Sequence, residues 1–427
     1  MELHSNRRRF LTAAAVLGAA GLGLALRPRD RGANHASYYA DLGKALDRAG
    51  RARPTLVVDR QRLLANADVL RRHLEGRHDY RVVAKSLPSL PLIEAVMQRT
   101  GTDRLMVFHQ PFLNLIAEAL PGTDVLLGKP MPVAAAARFY DQHDGGAFDA
   151  SRQLQWLIDS DERLRQYRQF AQQRNLPMRV SLEIDVGLHR GGLTHVEMLS
   201  EVLGVIEADP LLSFSGFMGY EPHVVKIPGI IGGPPRAFEK AQTRYQDFVD
   251  AAEEILGRSV RDLVLNAAGS PTYQLYDGDE PANELSAGSG LVKPADFDLA
   301  TLADHEPAAF IATPVIKALS TTKVPGLEPL AGVMAWLNPN RAKAFFIYGG
   351  YWKAVPESPA GLSINPIYGH STNQEMLNGS ASIDLRPDDW VFLRPTQSEQ
   401  VFLQFGDIAV YDGGEIVEHW PVFAEGA

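Results

Sequence analysis

The stretch Tyr80-Arg81-Val82-Val83-Ala84-Lys85-Ser86-Leu87-Pro88 decides how this chain is read. Val82-Val83-Ala84 is apolar without alternation, which suits a strand covered on both faces, as in a parallel sheet surrounded by helices. Ser86-Leu87-Pro88-Ser89-Leu90-Pro91 then forbids further pairing. A lysine therefore stands where a parallel strand gives way to its loop. Barrel enzymes gather their catalytic groups at that end of the strands, and a lysine there can act as a nucleophilic amine. Lys85 is the candidate Schiff-base residue.

Working outward from Lys85, strand-like runs alternate with helical spacing. The strand runs are Thr55-Leu56-Val57-Val58-Asp59, the lysine strand, and residues 104–108, 124–127, 155–159, 179–185, 214–220 and 263–266. Eight strands beginning near Leu56, each followed by a helical or connecting segment, predict a (β/α)8 TIM-type barrel. Beyond Glu284 the rhythm gives way to short strands and turn signals such as Asp412-Gly413-Gly414, which predict a C-terminal antiparallel β domain. The expected division is 1–37 as an export segment, 38–285 as the barrel and 286–427 as the β domain.

A chain of 427 residues, 45% hydrophobic and 22% charged, has ample material for a large core. A net charge of −9, with no long basic run in the body of the chain, argues against a nucleic-acid partner. The absence of cysteine excludes disulfides, thiolate metal sites and cysteine nucleophiles together. Arg7-Arg8-Arg9-Phe10-Leu11 and the apolar run to Leu26 look like a twin-arginine export signal. The apolar run is shorter than the ~20 residues of a spanning helix. The expected destination is the periplasm, with a membrane tether if the signal stays uncleaved.

Four clusters fall at the C-terminal ends of the expected barrel strands. Lys85 is the first. In the second, 183–192, a strand ends in carboxylates, breaks at Gly187 and presents Arg190, whose guanidinium can hydrogen-bond an anionic oxygen. The third, Gly219-Tyr220-Glu221-Pro222-His223, offers an aromatic face and two titratable groups. The fourth joins Asn266-Ala267-Ala268-Gly269-Ser270-Pro271-Thr272-Tyr273 to Ala287-Gly288-Ser289-Gly290, glycines and hydroxyls suited to a phosphate at the last barrel strands.

With these clusters the chain resembles the alanine racemase fold (fold type III) of pyridoxal 5'-phosphate enzymes, and within it the D-threonine aldolase and D-serine dehydratase-like group. The resemblance runs from about Pro54 to Phe423 and includes Val417-Glu418-His419-Trp420-Pro421-Val422. It implies Lys85 for the cofactor linkage, Arg190 near the cofactor's phenolic oxygen and Tyr220 beside its ring. Gly269, Ser270, Gly288 and Ser289 would surround the phosphate. Two departures stand out. The polar neighbours the family often places around its lysine are replaced here by Val83 and Leu87-Pro88. The group's histidine-containing metal motif aligns with Pro395-Thr396-Gln397-Ser398-Glu399, where the histidine is missing. Gln397 and Glu399 are a poor ligand pair for zinc and a weak one for a hard cation such as Mg2+ or Mn2+, so no metal ligands are expected, with these two as weak candidates and a divalent metal left open.

The resemblance implies a lyase, an aldolase or dehydratase of D-3-hydroxy amino acids. The alternatives are an amino-acid racemase, with a second base such as Tyr348, Tyr351 or Tyr368 supplied by a partner subunit, and a non-catalytic carrier of the cofactor. Short β-domain strands with edges to cover, and relatives that build their sites from two chains, imply a homodimer.

Overall fold

The computed structural model describes residues 27–143 and 145–424; the expected export signal, Arg7 to Leu26, lies outside them. Among the described residues no helix is long and apolar enough to cross a membrane. The chain divides into two compact units, each discontinuous in sequence.

Among the described residues the larger unit comprises 58–143, 145–309, 396–412 and 418–424. Its centre is a closed parallel barrel of eight strands: β2 (Asp79–Val83), β3 (Arg104–Val107), β4 (Asp124–Leu127), β5 (Leu154–Ile158), β6 (Met178–Glu183), β7 (Leu212–Met218), β8 (Val264–Ala267) and β9 (Glu284–Ala287). Helices such as Arg60–Leu74, Leu90–Thr100 and Asp161–Arg174 follow their strands. The last is capped where Ser160 accepts a hydrogen bond from the Arg163 amide. The barrel closes by pairing β2 with β9, in the register Asp79↔Glu284 to Val82↔Ala287.

The barrel is therefore borne out, but its strand list needs two corrections. Thr55–Asp59 (β1), expected as the first barrel strand, lies in the sheet beside Ala309–Leu319 (β10) instead. It reads like a barrel strand because all five residues are buried, and apolar periodicity cannot name a strand's partner. The eighth barrel strand is β9, which straddles the expected boundary at 285/286. Its sequence Glu-Leu-Ser-Ala carries a glutamate that makes sense only with the cation it meets.

That cation is Arg81, fully buried in β2. Its guanidinium donates to both oxygens of Glu284 (2.6 and 2.8 Å), to Asp124 Oδ1 (2.6 Å) and to the Leu105 and Asp124 carbonyls. Arg104 adds a further bond to Glu284 at 2.8 Å. Burial works against the charged forms, yet these pairings hold Arg81 above and Asp124 below their ordinary pKa. This ionic layer sits at the N-terminal ends of β2, β3, β4 and β9, opposite the end where Lys85 emerges.

The second unit comprises residues 27–57, 310–395 and 413–417 among those described. Its core is antiparallel, as expected. The strand Lys343–Tyr348 (β11) pairs with β10 and with Gln374–Gly379 (β14), and Trp390–Pro395 (β15) pairs with β10 and with Ala354–Ser358 (β12). The sequence reading cut the chain at 37/38 and 285/286, whereas residues 38–57 fall in this second unit and residues 286–309 in the barrel unit. The fold also returns residues 396–412 and 418–424 to the barrel unit, which bears on the site below.

Candidate active site

β2 ends at Val83, two residues before the lysine, because a single 3-10 turn follows. The Leu87 amide donates to the Ala84 carbonyl at 3.0 Å, closing that turn. Lys85 is thereby lifted off the strand into the barrel mouth. Its Nζ lies 4.5 Å from the centre of the Phe108 ring and 2.9 Å from Glu399 Oε1. Both side chains of that ion pair stay more than a third exposed, 37% and 42%, so the pair contributes little stability and exchanges partners readily.

Arg190 is delivered by a loop built on Asp185. This buried carboxylate accepts the amides of Gly187 and His189, each at 2.9 Å, and pairs with His189 Nδ1 at 2.7 Å. Burial alone would raise its pKa, but these hydrogen bonds win and hold it below the ordinary carboxylate value. The loop so fixed sets the Arg190 guanidinium over the Tyr220 ring, 5.1 Å from its centre. Burial, reinforced by Glu221 and opposed by Arg190, pushes the Tyr220 hydroxyl up to about 12, so it stays protonated at neutral pH.

The glycine and serine runs meet as one cradle. Ser270 Oγ accepts from the amides of Gly288 (3.1 Å) and Gly290 (2.9 Å), and Ser289 Oγ donates to Ser86 Oγ at 2.9 Å. Two positions admit only glycine for reasons of space. A Cβ on Gly288 would lie 2.8 Å from the Val83 carbonyl oxygen and 3.0 Å from Ser86 Cβ, and one on Gly269 would lie 2.5 Å from the Tyr220 ring. Ser270 spends its oxygen on two backbone amides and keeps its hydroxyl proton to donate. Ser270→Ala is therefore expected to weaken binding of a phosphate group more than Ser289→Ala does. One lost bond to a charged phosphate amounts to ~1.5–3 kcal/mol, about ten- to a hundredfold in affinity. Equilibrium dialysis of the two variants against pyridoxal 5'-phosphate checks the order, and unchanged affinity in both would move the phosphate site elsewhere.

Glu221 holds this cradle from behind. It is buried, accepts from Thr272 Oγ1 at 2.6 Å and from the Ala268 amide at 3.4 Å, and Thr272 Oγ1 in turn accepts the Gly269 amide at 3.2 Å. Burial pushes its pKa up to about 7 against the opposing pull of those bonds. A carboxyl raised on folding binds more protons folded than unfolded between about 4.5 and about 7, so its contribution to stability falls as pH rises through that window. The loss is roughly 2–4 kcal/mol. Glu221→Gln keeps an acceptor for Thr272 and is expected to remove this slope, leaving the variant more stable than the parent at pH 8. Urea unfolding at pH 5 and pH 8 tests it; an identical slope in the variant would refute the assignment.

Lys85, Arg190, Tyr220, Gly269, Ser270, Gly288 and Ser289 all line a single pocket. Of the two residues considered for a metal, Glu399 lines this pocket, whereas Gln397 is exposed and does not. Among the described residues no group of three His, Asp or Glu side chains is arranged to hold a metal ion. His370 pairs with Glu375 at 2.6 Å in the other unit. Asn266, the first residue of the fourth cluster, also lines the pocket, whereas sequence reasoning missed Phe108 and Phe297. Phe108 directly follows β3 and was findable as a strand-end residue; nothing in the sequence marks Phe297.

The family model described as "Alanine racemase, N-terminal domain" matches residues 58–295. The chain belongs to the alanine racemase N-terminal domain family. Solved structures of similar fold include D-threonine aldolase from Filomicrobium marinum (TM-score 0.69, 17% identity, covering 87% of this chain and 95% of that one). D-threo-3-hydroxyaspartate dehydratase from Delftia sp. HT23 follows with TM-score 0.66 and 15% identity, covering 87% and 97%. Alanine racemase from Bacillus anthracis has TM-score 0.65 and 13% identity, covering 87% and 98%. None of the curated proteins matches by sequence. This member of the alanine racemase family thus has the fold that its sequence resembles. Its pocket also fits the group that the resemblance implies, pyridoxal 5'-phosphate. It offers a reachable lysine amine, hydroxyls at a cradle whose Gly288 leaves no room for a side chain, and an aromatic face under a guanidinium.

Proposed function

We propose that this chain is a pyridoxal-phosphate-dependent lyase that cleaves or dehydrates D-3-hydroxy amino acids, with Lys85 carrying the cofactor. The observation that carries this reading is the convergence of the Lys85 amine and the Ser270–Gly288–Ser289 cradle in one pocket at the C-terminal end of the barrel. When bound, the cofactor supplies an electron sink for the carbanion left after a bond at the substrate's Cα breaks.

In this reading the Ser270 and Ser289 hydroxyls hold the phosphate, Gly269 and Gly288 give it room, Tyr220 lies beside the ring, and Arg190 faces its phenolic oxygen. Lys85 takes up and gives back a proton at Nζ, with Glu399 Oε1 in hydrogen-bond reach. Met106, Phe108 and Met218 line the pocket with apolar surface that excludes water. Likeness in fold to an aldolase and a dehydratase supports a lyase. The missing histidine near Gln397 supports an enzyme without tightly bound zinc, and activity before and after chelation checks that. Arg7-Arg8-Arg9 and the apolar run behind it support export to the periplasm.

A racemase is the second reading, and one observation favours it. Of the three exposed tyrosines considered as its second base, Tyr368 spends its hydroxyl on the Lys323 carbonyl at 2.9 Å, whereas Tyr351 is held through its backbone and ring. Its backbone is left-handed (φ 58°), its amide donates to Glu375 Oε2 at 2.8 Å and its ring stacks on His370 at 4.8 Å. A homodimer would let a second copy supply such a residue. Incubation with single enantiomers of 3-hydroxy amino acids separates the readings: a carbonyl product supports the lyase, and racemisation without one overturns it.

A further inference from the structure

We infer that Glu399 is a specificity-determining residue that makes the pocket select amino acids with one carboxylate and a neutral or cationic side chain over dicarboxylic ones. The inference rests on the reading of this pocket as the substrate site. The charged side chains lining it are Lys85, Arg190 and Glu399. Tyr220, the remaining titratable side chain of the lining, stays neutral.

A substrate has to bring its amino group to the nitrogen of Lys85, and Glu399 stands 2.9 Å from that nitrogen. The half-exposed pair is an exchangeable one, so an incoming ammonium replaces Lys85 as the partner of Glu399. An amino group suits that carboxylate; a carboxylate a few bonds away does not. Among the described residues Arg190 is the other cation of the lining, and in this reading it faces the cofactor, so the second carboxylate of a dicarboxylic amino acid meets Glu399 uncompensated. Two carboxylates about 5 Å apart, in surroundings between protein surface and water, disfavour binding by roughly four- to two-hundredfold. A hydroxyl or ammonium side chain instead offers Glu399 a donor.

The test compares aspartate with its neutral isostere asparagine, in both enantiomers, titrated into the cofactor-loaded protein and followed by the absorption of the lysine-bound cofactor. The parent is expected to bind aspartate about tenfold or more weakly than asparagine. Glu399→Gln is expected to bring the two within about threefold, and Glu399→Asp to keep the discrimination. Equal binding of the two ligands by the parent, or an unchanged ratio in Glu399→Gln, overturns the inference. The parent's ratio decides if Glu399→Gln does not fold. Normal cofactor uptake on Lys85 without charge discrimination overturns this inference alone. Failure to take up pyridoxal 5'-phosphate, or its linkage to another lysine, overturns the functional reading and this inference together.

Discussion

Lys85→Ala is expected to lower kcat/KM by at least about a thousandfold while leaving the fold in place, because it removes the one amine among the described residues that lines the pocket with the cradle and Glu399. The structural cost is small: the Lys85–Glu399 pair is more than a third exposed on both sides, so its loss changes stability by no more than ~1 kcal/mol. A cation over Phe108 is also lost, worth about 0.5–1 kcal/mol at such an exposed site. Activity and stability therefore part company in this variant, which a residue of merely structural importance would not allow. Borohydride reduction of the parent loaded with cofactor, followed by peptide mapping, is expected to place the label on Lys85. Label on Lys129, Lys226 or another lysine, or full activity in Lys85→Ala, would overturn the proposal.

Arg81→Met is expected to destabilise the protein by about 3–5 kcal/mol, because it leaves Glu284 fully buried without its bidentate partner. Arg104 and Asn266 still reach Glu284, each at 2.8 Å, which favours the lower end of that range. Asp124 loses Arg81 too, but keeps the bond from Arg179 at 3.2 Å. The double variant Arg81→Met/Glu284→Leu is expected to recover more than half of the loss, since the penalty lies in the stranded charge rather than in the pair's absence. Urea unfolding of the two variants distinguishes these outcomes; a double variant no better than the single one would mean that packing of the guanidinium, not charge, is what the barrel requires.

The sequence by itself determined the barrel, the antiparallel β domain and the cluster of residues at the barrel mouth. The reason is physical: parallel strands buried on both faces need unalternating apolar runs, and the residue types that bind anions or carry amines sit at the breaks that end such runs. The same local rule explains the two strands it misassigned. β1 is as buried as a barrel strand but belongs to the other sheet, and β9 carries a glutamate that no local pattern permits. Only the tertiary structure brings Arg81 to Glu284 from 203 residues away, and only then is that glutamate compatible with a buried strand. The site divides in the same way. Lys85, Arg190, Tyr220 and the Ser270 and Ser289 runs were legible because each stands at a strand's end. The place of Glu399 beside Lys85, the support of Gly269 by Glu221 through Thr272, and the presence of Phe297 in the lining were not. Those relations depend on long-range packing of segments whose own sequences are ordinary loops, and packing is decided by what the rest of the chain leaves space for.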